Sequence, residues 1–453
     1  MSAGNPLILV TAFEPSGDAH AAPMIARLLA ERPGLRIMGL GGPKMAAAGC
    51  ELIETTAENA AMGIDALAKI RWMRGIVARM QPWLDANPVA LHVPVDSPAA
   101  NIHIVKLTRA RGAGVIHLVA PQMWAWGAWR VRKLRPLTDG LMCLLPFEPA
   151  WFAARGIPAR FIGHPRLDRD LDVADLVATG EALGLATGAG GGLASRTAGE
   201  AAGETAGETA GATGGATAGE TGEAESTAEP RTQSGGNAAP PAVRRIVVLP
   251  GSRPKEVQRN GATLMRVAGE AARRAVARGE AVQLVAAPTS AAIADRLAEH
   301  WADVGGSAAA DIPLTNHVGQ LDAVLHGADL AVAVSGTVSL DVVRHGVPMV
   351  GVFRVSRASA AIAHRLLRAP HRLLPNLALG ERVVPEFVPW AGSDAPIMDA
   401  ADAILADAAV AGAQRDAMAR IRAIYAGHDP NAESAAIVLG RLDGEPFPGA
   451  GPG

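Results

Sequence analysis

The chain has 453 residues, 49% of them hydrophobic, and its 42 Lys and Arg against 44 Asp and Glu leave a formal charge of −2. That length supports two ordinary domains with full cores, and that balance excludes a partner held mainly by charge, nucleic acid above all. Two cysteines, Cys50 and Cys143, form neither a disulfide framework nor a zinc spacing and read as reduced thiols of a cytoplasmic protein.

The opening "MSAGNPLILVTAF" has no basic region and no long apolar core, so it reads as a first strand rather than a signal peptide. No run of about 18 apolar residues is present to span a bilayer. From residue 7 to 162, short apolar runs alternate with longer helical patterns. "LILVTA", "RIMGL", "VALHVPV", "VIHLVA" and "GLMCLL" read as strands. Helices follow Asp18, Gly63, Pro98 and Phe147, with a shorter one after Ala128. A second set, "RRIVVLP", "VQLVAAP", "DLAVAVSG" and "PMVGVFR", alternates with helical patterns in the same way. Strands alternating with helices build parallel sheets, so the chain reads as two doubly wound α/β domains. The expected division is 1–165, a connector 166–187, a second domain 242–390 and C-terminal helices 391–442. Open sheets of this kind take ligands at the carboxyl ends of their strands, which implies a cleft between the two domains.

Residues 188–241 are rich in Gly, Ala, Thr and Glu, with near-repeats of "AGET". They hold seven Glu against two Arg and almost no large apolar side chain, which leaves the rest of the chain at +3. Such a tract cannot bury enough surface to offset its ordering entropy and reads as a disordered insert. The tail "DGEPFPGAGPG", 443–453, reads the same way.

Four strand ends carry candidate chemistry. In "TAFEPSGDAH", Gly17 permits a tight turn and Ser16 or Asp18 can cap the next helix. Glu14 beside a helix N-terminus repels phosphate, so it suits sugar hydroxyls or proton transfer; simple turn chemistry explains the stretch equally well. In "LHVPVDSPAAN", Asp96 ends a strand and Pro98 opens a helix; Asp96 is either a cap or a carboxylate in the cleft. In "LPGSRPKEV", Gly251, Ser252 and Arg253 at a helix start combine free N–H groups with a guanidinium, which favours a phosphate. In "AVSGTVSLDVVRHG", the Ser335-Gly336-Thr337 turn lets a diphosphate approach the backbone. Asp341, one turn on, can accept from a ribose diol or serve as a first-turn acid. The aspartates of "LDRDLD", Asp168, Asp170 and Asp172, follow no strand-end glycine and read as a solvated helix start rather than a metal site.

In this order, "EPSGD", "MGIDAL", "PQMWAWGAWRVRKL", "LLPFEPAWF", "FIGHP", "LPGSR", "SGTVSLD" and "LPNLALGERVVPE" resemble the lipid-A-disaccharide synthase family. The resemblance runs from about Leu7 to about Trp390, outside the insert. It implies the GT-B fold, two Rossmann-like domains facing across a cleft, and an inverting glycosyl transfer. A 2,3-diacylglucosamine moves from UDP to the 6-hydroxyl of 2,3-diacylglucosamine 1-phosphate, without a metal or other cofactor. It also implies roles. Asp96 is matched to the catalytic base, with Glu14 and His20 as the other proton acceptors at hand. Ser16, Gly17 and Asp18 are matched to an acceptor loop. Arg253 with Gly251 and Ser252, Ser335 to Thr337, Asp341, Asn376 and Glu386 are matched to the UDP-sugar side. The chain departs from the family at Phe13, where glycine is usual and a large side chain would narrow the loop's mouth. It departs also at Ala99 and Ala100, where Asp-Phe is usual, and at Asp341, one methylene shorter than the usual Glu, so that ribose contact passes through a water. Another UDP-sugar enzyme of this fold, an epimerase or a transferase with a soluble acceptor, and a non-catalytic relative are the other classes these motifs admit.

Acylated substrates imply work at the cytoplasmic face of the inner membrane as a peripheral protein. In "MGIDALAKIRWMRGIVARM", Met62, Ile64, Leu67, Ile70, Trp72 and Met73 form a broad apolar sector beside four cations. This reads either as an interfacial helix or as an ordinary core-facing one, and the acyl chains favour the first. Trp124, Trp126 and Trp129 are core or cleft-edge residues on the same evidence. A homodimer is left open.

Overall fold

The computed structural model describes residues 6–57, 66–168, 170–186, 243–304, 311–367 and 369–449. The expected insert 188–241 lies outside the described residues, as do Met62 and Ile64 and the side chain of Leu67.

The first lobe runs β1 (Leu7–Ala12), α1 (Pro15–Glu31), β2 (Arg36–Gly41), α2 (Pro43–Ala47), β3 (Glu51–Thr55), α3 (Ala66–Ala86), β4 (Val89–Val95), α4 (Pro98–Ala110), β5 (Gly114–Leu118), α5 (Val131–Leu134), β6 (Gly140–Cys143), α6 (Glu148–Ala153) and β7 (Ala159–Phe161). After α7 (Val173–Ala182), the second lobe runs β8 (Val243–Leu249), α8 (Pro254–Ala277), β9 (Ala281–Ala286), α9 (Ala291–Val304), β10 (Leu314–Asn316), α10 (Leu321–Leu325), β11 (Leu330–Val334), α11 (Val338–His345), β12 (Met349–Arg354), α12 (Arg357–Leu366), α13 (Leu374–Leu379) and β13 (Glu386–Trp390). Three helices close the chain: α14 (Ala395–Ala406), α15 (Ala408–Tyr425) and α16 (Pro430–Leu442).

All strand pairs are parallel, in the orders β3-β2-β1-β4-β5-β6-β7 and β10-β9-β8-β11-β12-β13. Parallel sheets are covered on both faces, which is why β1 is buried at all six positions and reads as one apolar run. The strand order reverses between β1 and β4 in one sheet and between β8 and β11 in the other. At such switch points the connecting loops part to opposite faces and leave a crevice.

Three features of the packing bear on the site. Phe13 is fully buried under α3 with Leu9, Ile76 and Met80 and meets Trp72 edge-on. It therefore does not narrow the loop's mouth; it fills core space that a glycine would leave empty. Met73 packs against that same cluster, so α3 turns Trp72 and Met73 inward, and Ile70, 50% exposed, is the outward apolar residue. Over its described part the helix sets one side on the core and leaves Ile70, Arg71 and Arg74 exposed.

The chain ends cross between lobes. α16 returns to the first sheet, where Ala435 and Val438 join Ile8 and Val10 in one core. The tail expected to be disordered from 443 instead buries Phe447 against Gly140, where a Cβ would sit 2.3 Å from the ring. Arg32 and Asp443 pair beside it. Trp124 and Leu145 of the first lobe pack with Ala369 and Leu377 of the second, and Tyr425 donates to the Leu144 carbonyl at 3.1 Å. The lobes thus share an apolar seam beside the cleft.

Candidate active site

Glu14 is the residue before α1, in extended conformation, and its carboxylate does not cap the helix. Gly17 lets α1 start hard against β4: a Cβ there would lie 3.0 Å from the Val95 carbonyl and 3.1 Å from the Ala12 side chain. That approach brings Ser16 to Asp96, and the Ser16 hydroxyl donates to Asp96 Oδ2 at 2.8 Å. The Ser97 amide donates to Oδ1 at 2.7 Å. Both carboxylate oxygens are thereby oriented at the end of β4.

The backbone that carries Asp96 is strained. Asp96 and Ser97 have φ of 51° and 39°, and Val119 at the end of neighbouring β5 has φ of 67°. Left-handed geometry is costly for side chains other than glycine, and it persists where the surroundings over-determine it. Here the restraint is Asn101, one turn into α4. Its amide nitrogen donates to the carbonyls of Val95 at 3.1 Å and Asp96 at 2.7 Å. Its oxygen accepts from the Thr11 hydroxyl at 2.6 Å. Thr11 has then used its proton, so His92 Nε2 must donate to it at 2.8 Å, and His92 Nδ1 accepts from Thr108 at 2.9 Å. Burial lowers the His92 pKa to about 3, so the ring is neutral, as this ordering requires. The residue reading missed Thr11, His92, Asn101 and Thr108; the available signal was the set of polar residues inside otherwise apolar segments.

Asp18 does not face the cleft. Its buried carboxylate accepts from the amides of Gly42 at 2.9 Å, Lys44 at 3.1 Å and Met45 at 3.0 Å, so it fastens the start of α2. The acceptor-loop expectation is not met for this residue because its buried carboxylate is turned to the amides that open α2. His20 lies edge-on to His164, ring centroids 6.1 Å apart. Burial lowers the His20 pKa; the Asp96 charge opposes this, and Arg166 and Lys44 add to it. His164, more deeply buried, is lowered to about 3 and accepts from the Arg166 amide.

At the other switch point, Gly251 has φ of 89°, and a Cβ there would meet Val334 at 2.9 Å and Glu256 at 3.1 Å. Arg253 is the residue before α8; its side chain is 69% exposed and pairs with Glu256 at 2.8 Å. Exposed pairs of this kind contribute little, so a ligand can take the guanidinium over. Arg253 has a raised pKa, chiefly from the Glu256 hydrogen bond and then from the charges of Glu256, Glu14 and Asp96. The two last carboxylates belong to the first switch point, so charge on the first lobe reaches this guanidinium. Ser335, Gly336 and Thr337 line the β11 end, and a Cβ on Gly336 would meet nothing within 4 Å. Ser252, Gly336 and Thr337 are exposed, next to the N-termini of α8 and α11.

Three donor-side residues are committed elsewhere in this structure. Asp341 is buried and holds Arg166 of the first lobe's exit at 2.5 Å. Burial raises its pKa to about 6 against the pull of Arg166 and Arg344. Its carboxylate thus closes an interlobe ion pair, and sequence reasoning gave no sign of Arg166. Asn376 is fully buried; its oxygen accepts from the Val383 and Val384 amides and its nitrogen donates to the Val384 carbonyl and to Glu386. It shapes the loop and holds Glu386 rather than reaching the cleft. Glu386 Oε2 accepts the amides of Arg372 at 3.0 Å and Leu373 at 2.9 Å, which leaves Oε1 near His371 at 3.7 Å. Asp172 caps α7 by accepting from the Asp175 amide, in line with a helix start.

The family model described as Lipid-A-disaccharide synthetase matches residues 8–186 and 224–438. A Lipid-A-disaccharide synthase from Trichlorobacter lovleyi is 26% identical over 446 residues, covering 98% of this chain and 100% of that protein. Among solved structures, UDP-GlcNAc 2-epimerase from Neisseria meningitidis bound to UDP-GlcNAc aligns with a TM-score of 0.51 at 10% identity, over 97% of this chain and 100% of that one. The calicheamicin glycosyltransferase aligns with a TM-score of 0.51 at 14% identity, over 97% and 98%. At those identities the likeness shows the fold alone, the two-lobed GT-B arrangement.

Proposed function

The chain belongs to the lipid-A-disaccharide synthetase family, and from that premise we propose how its two lobes divide the work of transfer. It is a glycosyltransferase of lipid A biosynthesis. It moves 2,3-diacylglucosamine from UDP to the 6-hydroxyl of 2,3-diacylglucosamine 1-phosphate, with inversion, giving a β-1,6 disaccharide 1-phosphate and UDP.

In the proposed mechanism, Asp96 accepts the proton of the 6-hydroxyl as that oxygen attacks the anomeric carbon. The bond from that carbon to the diphosphate breaks, and its electron pair leaves on the UDP oxygen. Arg253 and the free amides at the starts of α8 and α11 receive that charge. Ser16 and Ser97 hold the base in place, and Glu14, with no capping bond of its own, is suited to hydroxyls of the acceptor sugar. One observation carries the reading: Asp96, oriented by Ser16 and Ser97, stands at one switch point, and the exposed Arg253 stands at the other, at the start of α8. The alternatives, an epimerase or a non-catalytic relative, have no comparable support.

The test is a transfer assay with both lipid substrates in detergent, with and without chelator. Asp96→Ala should lower kcat by roughly 100-fold or more. Arg253→Ala should lower kcat/KM for the donor by a comparable factor, and chelator should change neither value. Full turnover by Asp96→Ala would move the base to Glu14 or His20.

Among the described residues no helix is long and apolar enough to cross a membrane. The acyl chains of both substrates support peripheral work at the inner membrane's cytoplasmic face.

A further inference from the structure

Arg166 stands in the turn that leaves β7, where the Leu167 amide donates to the His164 carbonyl at 2.9 Å. Its own amide donates to His164 Nδ1 at 3.1 Å, and the His164 ring meets His20 edge-on. His20 lies four residues after Ser16 on α1, so the two share a face of that helix, and Ser16 is the residue that holds Asp96. Contacts through α1 thereby set this turn beside the proposed base. Charge agrees with the contacts: burial lowers the His20 pKa most, the Asp96 carboxylate opposes it, and the charges of Arg166 and Lys44 add to it. The Arg166 side chain reaches α11 of the second lobe. Its Nη1 donates to Asp341 Oδ2 at 2.5 Å; the Asp341 side chain is 4% exposed and that of Arg166 is 44% exposed. One corner of a planar fork is fastened to a buried carboxylate, and donors remain on the exposed part of the side chain.

We propose that Arg166 receives the 1-phosphate of the acceptor sugar and so selects a phosphorylated acceptor, an assignment that rests on the transferase reading. In a glucosamine ring C1 and C5 flank the ring oxygen, and C5 carries the 6-hydroxyl group's carbon. An acceptor with that hydroxyl on Asp96 therefore holds its phosphate within one sugar's width of the base. Asp96 and Glu14 are both acids, and like charges at that range repel. The phosphate thus requires a fixed cation on this side of the site. Arg253, at the start of α8, is spent on the leaving diphosphate in the proposed mechanism. Arg166 is the guanidinium tied to the Asp96 side, through His164 and His20. A guanidinium matches phosphate with paired N–H donors, and a fork already held on Asp341 has less freedom to lose when it binds.

The test is steady-state transfer by the full chain in detergent to two acceptors, 2,3-diacylglucosamine 1-phosphate and the same diacylglucosamine without its phosphate. The wild type should favour the phosphorylated acceptor by about tenfold or more in kcat/KM. Arg166→Met should lose most of that preference, chiefly through a rise of about tenfold in KM for the phosphorylated acceptor, with donor KM within about twofold of wild type. Arg166→Lys should recover part of the preference, because it keeps the charge without the fork. Urea unfolding reports whether each variant folds, and Arg166→Lys still reads the preference should Arg166→Met fail to fold. An equal loss on both acceptors, with the preference intact, makes Arg166 a structural tie between the lobes and overturns the proposal. A rise confined to donor KM assigns the guanidinium to the diphosphate and overturns it too. Calorimetric titration with glucosamine 1-phosphate gives a readout without turnover: Arg166→Met should bind it about tenfold more weakly than the wild type, and equal binding counts against the assignment. Absence of any transfer by a wild type that binds glucosamine 1-phosphate through Arg166 would sink the transferase reading and leave the phosphate site standing.

Discussion

Asp96 owes its place to residues that never meet a substrate. A left-handed Asp-Ser pair costs of order 1–3 kcal/mol per residue, and the Asn101 amide holds both flanking carbonyls in that shape. Asn101→Ala should therefore let the turn relax and swing the carboxylate. The expected result is a fall in kcat of roughly 10- to 100-fold at nearly unchanged KM for both substrates, since a small misplacement of a reacting group acts on chemistry more than on binding. Steady-state kinetics alongside a denaturation curve separates this from unfolding; a loss of stability with kcat intact would sink the positioning role. Much of the residue-level site was legible. Glu14, Ser16, Asp96, Gly251 and Arg253 stand at strand ends, as their motifs indicate. Asp18, Asn376 and Asp341 were not legible, because the same side chain at the same spacing serves a ligand or a neighbouring amide equally well. Only the fold shows which partner reached it first.

Elements show the same division. The residue reading finds every central strand and passes over four: β3, β7, β10 and β13. These are the four edge strands of the two sheets. A central parallel strand is buried on both faces and reads as an unbroken apolar run, whereas an edge strand such as "ELIET" or "LTN" is short and half-polar. The α2 start is an element fixed at a distance, by Asp18 on α1. Asp18→Ala leaves three amides without their acceptor, and Gly42 is confined by that carboxylate, a Cβ lying 2.7 Å from it. The variant should lose about 2–4 kcal/mol of stability in urea unfolding, with acceptor KM within about twofold of wild type. A large rise in acceptor KM at unchanged stability would restore Asp18 to the cleft.

At the scale of the whole molecule, the lobe seam holds a buried acid. Glu148 accepts from Trp124 Nε1 at 3.0 Å and from the Leu145 amide at 3.1 Å. Burial is the dominant influence and raises its pKa to about 7, from 4.5 when unfolded, against those hydrogen bonds. The folded chain therefore holds this proton more tightly than the unfolded chain. Its contribution is fully present below about pH 4.5 and is lost as pH rises through about 7, a change of about 3 kcal/mol. Buried His92, His117 and His164, with lowered pKa values, act in the opposite sense below pH 6.5. The clean measurement is thus a difference. Urea unfolding of wild type and Glu148→Gln across pH 4.5 to 8 should show stability falling with pH in the wild type relative to the variant. Parallel pH profiles would rule out the titration of Glu148 in this range.

The sequence by itself determined two parallel-sheet domains, the turns at their strand ends and the family, because burial on both faces and glycine-dependent turns are written in local residue order. Tertiary structure decided which polar side chains remain for a ligand and that the last helix and Phe447 belong to the first lobe. Each of these depends on what a side chain meets once the chain has folded, and local spacing holds no record of that.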